Sequence, residues 1–423
     1  MTASGTMDAL TVIPPGRALT GRVSPPGSKS ITNRALLLAA LARGTSRLTG
    51  ALKSDDTRYM AEALRQMGVT VEEPDATSFT VTGDGTLKAP AAPLFLGNAG
   101  TATRFLTAAA ALANGPVVVT GDEHMQKRPI APLVTALRTL GVAVEAPSGC
   151  PPVTVQGRGG FKGDAVTIDA GLSSQYVSAL LMLAAGGGKP VRVSLAGDAI
   201  GARGYIDLTV AAMRAFGAKV EQEGPGAWLV HPTGYRAADF HIEPDASAAT
   251  YLWAAEVLTG GRIDIGTQAE AFTQPDAKAW ALIRAFPHLP AEIDGSQMQD
   301  AVPTLAALAA FNATPVRFTG IANLRVKECD RVAAMATELS RLAPGLAVEE
   351  GNDLIVTPVA KERMQPARIT TYADHRIAMS MALVGLMVPG VTILDPGCVA
   401  KTYPNYWRDL AALGVSLEEP AAA

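Results

Sequence analysis

Cationic and carboxylate side chains recur in this chain within short polar phrases, most of which run directly into a stretch of Ala and Leu. In PPGSKSITNR, two prolines and Gly27 stiffen a turn, and Ser28 to Ser30 open a helix. Backbone N–H groups exposed at a helix start favour an anion. Lys29 and Arg34 add charge there, with Ser30 and Arg34 on one helix face at i, i+4. The phrase suits a phosphate or a carboxylate; the alternative is a capped helix with solvated cations. It is not a P-loop, because Ser28 separates Gly27 from Lys29.

Further phrases follow the same plan. GNAGTATR (97–104) has small residues that let backbone approach closely, with Asn98 and Gly100 at its start and Arg104 in the first turns. In KRPI, Arg128 precedes Pro129, which biases its backbone to extended geometry. GLSSQY offers Ser173 and Ser174, which could be caps only, and adds Gln175; GYIDL, with Tyr205, is a weaker signal. In QDAVPTLAALAAF, Asp300 heads an apolar helix, as an N-cap or as a partly desolvated general base. In NLRVKECDR, Asn323, Lys327, Glu328 and Arg331 crowd a helix start, which a solvated, salt-bridged surface would also produce. YADHRIAMS places His375 and Arg376 before a long uncharged run, and CVAKTYPNYW contributes Lys401, which alone would read as a solvated turn residue. Many cations with few carboxylate partners suggest a small polyanionic substrate, handled by acid–base groups and fixed charges. The five histidines show no metal-ligand spacing, and no GxSxG, HExxH or dinucleotide fingerprint appears, so neither a metal nor a cofactor is expected.

Such phrases need elements to hold them, and a repeat supplies these. A helix end, a Gly and a short strand with an acidic end recur at Gly68, Gly141, Gly217, Gly345 and Gly414, with a degenerate copy near residue 287. Each Gly is expected to close its helix in the left-handed conformation. Six Ala/Leu-rich segments, starting near Ser30, Asn98, Ser173, Asp245, Asp300 and Asp374, are apolar nearly all round and should be buried helices. The chain is therefore of the α/β (α+β) class, made of six units of roughly 70 residues. The uncharged run from Ile377 to Leu394 contains Ser380, Gly385 and a Pro389-Gly390 break, so it reads as a buried helix turning into a buried strand rather than a membrane span.

Composition sets the outer limits. Over 423 residues, 48% hydrophobic and 18% charged describe a chain that buries a large core, with aromatics at only 5% leaving that core to Ala, Leu and Val. Against 39 acidic residues stand 36 basic ones, and a net charge of -3 gives no bulk attraction to nucleic acid or anionic membrane. Cys150, Cys329 and Cys398 are too far apart for a disulfide framework, and the N-terminus lacks a signal-peptide pattern, so an intracellular protein is expected.

With these phrases in order, the chain resembles the 5-enolpyruvylshikimate-3-phosphate synthases, from PGSKSITNRALLLAALA through LKSDDT, LGNAGTATR, KRPI, SSQY, GYIDLT, NLRVKECDR and DHRIAMS to ILDPGCVAKTYPNY. The resemblance implies two similar domains, each of three βαβαββ repeats in an inside-out barrel. Residues 1–27 and 243–423 would form one domain and 28–242 the other, with the active site in the cleft between them. It implies transfer of the enolpyruvyl group of phosphoenolpyruvate to the 5-hydroxyl of shikimate-3-phosphate through a tetrahedral ketal, with release of phosphate. Lys29, Ser30, Arg34, Ser173, Ser174, Gln175, Tyr205, Asp300, Asn323 and Lys327 would hold shikimate-3-phosphate. Lys29, Asn98, Gly100, Arg128, Gln175, Arg331, Arg376 and Lys401 would hold phosphoenolpyruvate. The catalytic set would be Asp300 as base, Glu328 as proton donor, Lys29 and His375. A cytoplasmic monomer without cofactor, metal, nucleic-acid partner or membrane is expected. Two positions depart from the family pattern: Ala202 replaces a common Ser, and Phe105 a common Pro, which bears on the pocket that the herbicide glyphosate occupies in the family. The alternatives are the sibling reaction on UDP-N-acetylglucosamine, against which the loop EHMQKRPI lacks the sibling's Cys, and a non-catalytic anion-binding protein of the same fold.

Overall fold

The computed structural model describes residues 8–197 and 201–420; residues 1–7, which begin the segment read above for a leader, lie outside it. The chain forms two compact units, Gly27–Glu243 and the described parts of Met1–Pro26 with Pro244–Ala423.

In Gly27–Glu243 the repeat is clearest between residues 94 and 156. Strand Leu94–Phe95 leads to helix Gly100–Ala109 and then to the parallel strand Pro116–Thr120. Helix Ala131–Thr139 and the antiparallel strands Ala143–Glu145 and Val153–Gln156 complete it. Residues 165–230 repeat this order around helices Ser174–Ala184 and Gly204–Ala215. The first repeat carries helices Lys29–Leu41 and Asp55–Gln66, and its sheet is completed from far along the chain. Strands Tyr235–Arg236 and Asp239–His241 lie parallel to Ala42–Thr49.

The other unit is built alike. Helices Val302–Ala309 and Arg331–Leu342 accompany the sheet that runs Glu292–Asp294, Val316–Thr319, Asp353–Val356, Ala347–Glu350. Helix His375–Gly385 accompanies the last sheet, in which Ala9–Ile13 lies between Val391–Leu394 and Ser416–Glu418. Helix Ala246–Thr259 is followed by Arg262–Asp264, which pairs with Thr20–Arg22. The run from 377 to 394 is thus a buried helix, a turn at Pro389-Gly390 and a buried strand.

The six Ala/Leu helices are buried in one core per unit. Small side chains let them pack closely, as Gly100–Ala109 does on Ser174–Ala184. Four of the six carry the expected cap: Ser28, Ser173, Asp245 and Asp374 accept from the backbone N–H of Ile31, Gln175, Ala248 and Arg376. The other two do not. Asn98 lies two residues before its helix, and Asp300 sits in the 3-10 turn Gln299–Ala301.

Gly68, Gly141, Gly217 and Gly414 close helices as expected. Gly68, for example, has φ +86°, with its N–H on Arg65 O and the next N–H on Leu64 O. Gly345 differs. Helix Arg331–Leu342 has already ended at an extended Ala343 before Pro344, so Gly345 (φ +77°) turns the chain outside the helix. Among the described residues no helix is long and apolar enough to cross a membrane.

Candidate functional site

Each unit gathers its polar phrases into one cluster. In Gly27–Glu243, Arg34 is the most deeply committed member. Its Nε donates to Thr209 Oγ1 (2.7 Å), Nη1 to Ser30 O (2.8 Å), and Nη2 to Ser178 Oγ and Tyr205 O (both 3.2 Å). Four of its five N–H groups are therefore bonded within the unit. The guanidinium also lies against the Phe105 and Tyr205 rings, at 5.2 and 5.9 Å from their centroids. Burial pulls its pKa down to about 10, with Tyr205 opposing. Phe105, the departure from the family pattern, thus supports this arginine. Ala202, the other departure, sits at φ +53° just before helix Gly204–Ala215.

Lys29, the first residue of its helix, brings Nζ to 3.4 Å from the buried carboxylate of Asp56, which belongs to the phrase LKSDDT. Arg128 is buried and donates from Nη1 to Asn98 Oδ1 at 3.1 Å. Its loop is fixed from behind, because Tyr176 donates its hydroxyl proton to Pro129 O at 2.7 Å. Arg104 donates from Nη1 to Gly100 O at 2.9 Å. A Cβ on Gly100 would stand 2.5 Å from Arg104 Nη1 and 2.8 Å from Arg128 Nη1, so two guanidinium groups converge on this glycine. Gln175 reaches the same helix start, with Nε2 donating to Thr101 Oγ1 at 3.2 Å. Ser173 caps its helix, and Ser174 is the first buried residue of it.

The cluster in the other unit is a lattice of ion pairs. Arg331 is 2% exposed and touches three carboxylates: Asp374 through Nε (2.7 Å), Asp300 through Nη1 (3.1 Å) and Glu328 through Nη2 (2.6 Å). Arg376 holds the other oxygen of Asp300 through Nη2 at 2.7 Å and approaches the Tyr251 hydroxyl through Nη1 at 3.4 Å. Lys401 Nζ lies 3.0 Å from Glu328 Oε1. Three cations and three carboxylates therefore balance in a buried place. Burial works against the charge of both arginines. Asp374, Glu328 and Asp300 outweigh it at Arg331, and Asp300 leads at Arg376, so both are held above the ordinary arginine value.

Asp300, Glu328, Arg331, Arg376 and Lys401 are brought together by these bonds, whereas Asn323 and Lys327 lie on the preceding loop around 3-10 segment Ala322–Val326, Asn323 buried and Lys327 half-buried. His375 is fully buried, its Nδ1 3.8 Å from Asp374 Oδ1 and beyond hydrogen-bond reach. From the sequence Asp374 reads only as the polar start of a buried helix, suited to a cap. It is one, accepting from Arg376 N at 2.8 Å, but its second oxygen anchors Arg331. Asp56, Thr101, Ser178, Thr209 and Tyr251 were missed too. Each lies far in sequence from the site residue it contacts, and only the helix periodicity of Arg34 with Ser30 gave a local signal.

A family model described as EPSP synthase (3-phosphoshikimate 1-carboxyvinyltransferase) matches residues 13–410. The chain belongs to the EPSP synthase family. Within that family, a 3-phosphoshikimate 1-carboxyvinyltransferase of Rhizobium etli (strain CIAT 652) is 71% identical over 97% of this chain and 98% of its own length. The enzyme of the same name from Pseudomonas syringae pv. syringae (strain B728a) is 67% identical over the same shares. Among solved structures, an EPSP synthase from Acinetobacter baumannii superposes with a TM-score of 0.79 at 26% identity, covering 97% of this chain and 99% of that one. The enolpyruvyl transferase NikO from Streptomyces tendae shares the fold, with a TM-score of 0.72 at 20% identity over 98% and 99% of the two chains. The chain is thus an enzyme with the two-domain enolpyruvyltransferase fold that the family resemblance implied.

Proposed function

We propose that the chain transfers the enolpyruvyl group of phosphoenolpyruvate to the 5-hydroxyl of shikimate-3-phosphate, by addition and elimination through a tetrahedral ketal, and that the clusters of both units serve this one reaction. The observation that carries the mechanism is the double use of Asp300 and Glu328. Asp300 bridges Arg331 and Arg376, and Glu328 bridges Arg331 and Lys401. The cations that would grip the phosphate and carboxylate of phosphoenolpyruvate are thus the same ones that hold the two carboxylates. An incoming anion competes for those N–H groups. As it takes them, Asp300 is released to accept the proton of the attacking hydroxyl, and Glu328, freed of its two cations, takes up a proton from solvent and delivers it to C3 of the enolpyruvyl group. Phosphate then leaves against fixed positive charge, with the proton movement reversed.

In the other unit, Lys29, Ser30, Ser173, Ser174, Gln175 and Tyr205 are assigned to shikimate-3-phosphate, with Arg34 offering its one uncommitted N–H. Arg128, Asn98 and Gly100 are assigned, with Lys29 and Gln175, to phosphoenolpyruvate. Asn323 and Lys327 complete the shikimate-3-phosphate set. His375, being buried, is given a supporting place in the Asp374–Arg376 helix start rather than a proton-transfer step. We further propose a cytoplasmic monomer, in which the three separate thiols stay reduced.

Phosphate release from the two substrates tests the reading. Wild type is expected to release phosphate only when both are present, with Asp300→Ala and Glu328→Gln each slower by about 10²–10⁴-fold. No release by wild type would sink the reaction. Full rates in both variants would sink the assigned roles.

A further inference from the structure

Helix Arg331–Leu342 grips one short segment of its own unit at two points. At the N-terminal end of the helix, Arg331 donates to both oxygens of Asp374. Two turns later, on the same face, stands Glu338, a carboxylate with no exposure at all. Its Oε2 accepts from Thr370 N (3.1 Å) and from Arg341 Nε (2.8 Å), and its Oε1 accepts from the Tyr372 hydroxyl (2.8 Å). Burial first, and then Glu338, pushes the Tyr372 pKa up to about 12, so this hydroxyl stays a donor through the neutral range.

Between the two grips the backbone does something unusual. Tyr372 (φ +56°) and Ala373 (φ +53°) are consecutive non-glycine residues in the left-handed region. An L residue adopts that region at a free-energy cost, and two in succession persist only where the surroundings over-determine them. The turn they make delivers Asp374 as the cap of helix His375–Gly385, from which Arg376 extends to Asp300.

We infer that Glu338 is a positioning residue for enolpyruvyl transfer. By holding Thr370 and Tyr372 it maintains the strained turn that aims Asp374, and through it Arg331 and Arg376, at the incoming anion. Glu338 touches neither the ion-pair lattice nor any residue assigned to substrate, and it acts through the backbone of 370–374. The inference rests on the reaction proposed above.

The test uses the full-length enzyme with Glu338→Gln and Tyr372→Phe. Glutamine keeps the volume but turns an amide N–H₂ towards Thr370 N–H, Arg341 or the Tyr372 hydroxyl, so at least one accepting bond is lost. The KM for phosphoenolpyruvate is expected to rise roughly 5- to 50-fold in Glu338→Gln and about 3- to 10-fold in Tyr372→Phe, with the KM for shikimate-3-phosphate within about twofold. The double variant should fall close to Glu338→Gln alone, because the Tyr372 bond is one of those that Glu338 makes. A role confined to stability would lower the melting temperature and leave that KM split absent in folded enzyme. An unchanged phosphoenolpyruvate KM in both folded variants, beside an active wild type, would overturn the inference. Should Glu338→Gln not fold, Tyr372→Phe decides by the same criterion. An inactive wild type would instead overturn the reaction and this inference with it.

Discussion

Replacing Gly100 by Ala separates stability from function. Gly100 is the first residue of helix Gly100–Ala109 and has no positive φ, so its backbone accepts a Cβ. Helix propensity alone would then make Ala slightly more stable, by about 0.5–1 kcal/mol. The added methyl nevertheless meets Arg104 Nη1 at 2.5 Å and Arg128 Nη1 at 2.8 Å, where ordinary contact starts at 3.4 Å. The guanidinium ends must retreat by about 0.9 and about 0.6 Å respectively, the differences between those distances. Both are tips of flexible side chains, so the fold absorbs the shift. An anion held by Arg128 would not: losing part or all of one charge-assisted hydrogen bond costs roughly 1.5–3 kcal/mol, or about 10- to 150-fold. Steady-state phosphate release at saturating shikimate-3-phosphate should show the KM for phosphoenolpyruvate raised on that scale, the KM for shikimate-3-phosphate within about threefold, and the melting temperature not lowered. A phosphoenolpyruvate KM within twofold of wild type would refute the placement of the anion at Arg128 and Gly100. A clear drop in melting temperature would show that backbone, not side-chain tips, had moved.

Further outcomes follow from the same geometry. Arg331→Ala strands the buried Asp374 and should lower unfolding free energy by about 3–5 kcal/mol, measured by urea denaturation; a loss under 1 kcal/mol would contradict the ion-pair lattice. Asp300→Ala should cut kcat strongly while leaving phosphoenolpyruvate binding no weaker, since Arg331 and Arg376 each lose a competitor; titration calorimetry showing weaker binding would count against the exchange of partners. Tyr251 is raised by burial from 10.0 to about 12, so the folded protein binds the extra proton between these values. The stability this contributes is complete below pH 10 and is lost as pH rises towards 12. Denaturation at pH 9, 10.5 and 11.5 should therefore show Tyr251→Phe losing less stability than wild type across the window, by about 2 kcal/mol at pH 11.5; parallel losses would argue against it.

How much of this could be read in the sequence depended on how local each cause was. The buried helices were legible because Ala and Leu fill every face, and four of their caps because a Ser or Asp side chain bonds a backbone N–H two or three residues on. The glycine closures were legible for the same reason, and the one exception arises where Pro344 follows Ala343 and the helix has already stopped. The cations and carboxylates of the site were legible as types, but their pairing was not. Arg331 with Asp300 and Asp374, or Arg34 with Ser178 and Thr209, joins residues from separate helices, and no spacing rule reaches across repeats. Asp374 hid behind its own local role, since a cap leaves no sign that its second oxygen is in use. Glu338 was invisible because a Glu in the middle of an amphipathic helix normally faces water, and here it faces a left-handed turn.

Strand Ala9–Ile13 lies inside the last sheet, between Val391–Leu394 and Ser416–Glu418. On the ribosome that places the strand far ahead of both its partners. At a typical 5–20 residues per second, the roughly 380 intervening residues take about 20–80 s to appear. Meanwhile Gly27–Glu243, whose sheets draw only on residues within that span, can finish folding as soon as Asp239–His241 emerges. The apolar ALTVI segment waits through that interval with both edges unsatisfied. Shielding this early strand until its partners appear is thus a demand on the nascent chain that the packing of the finished sheet does not display.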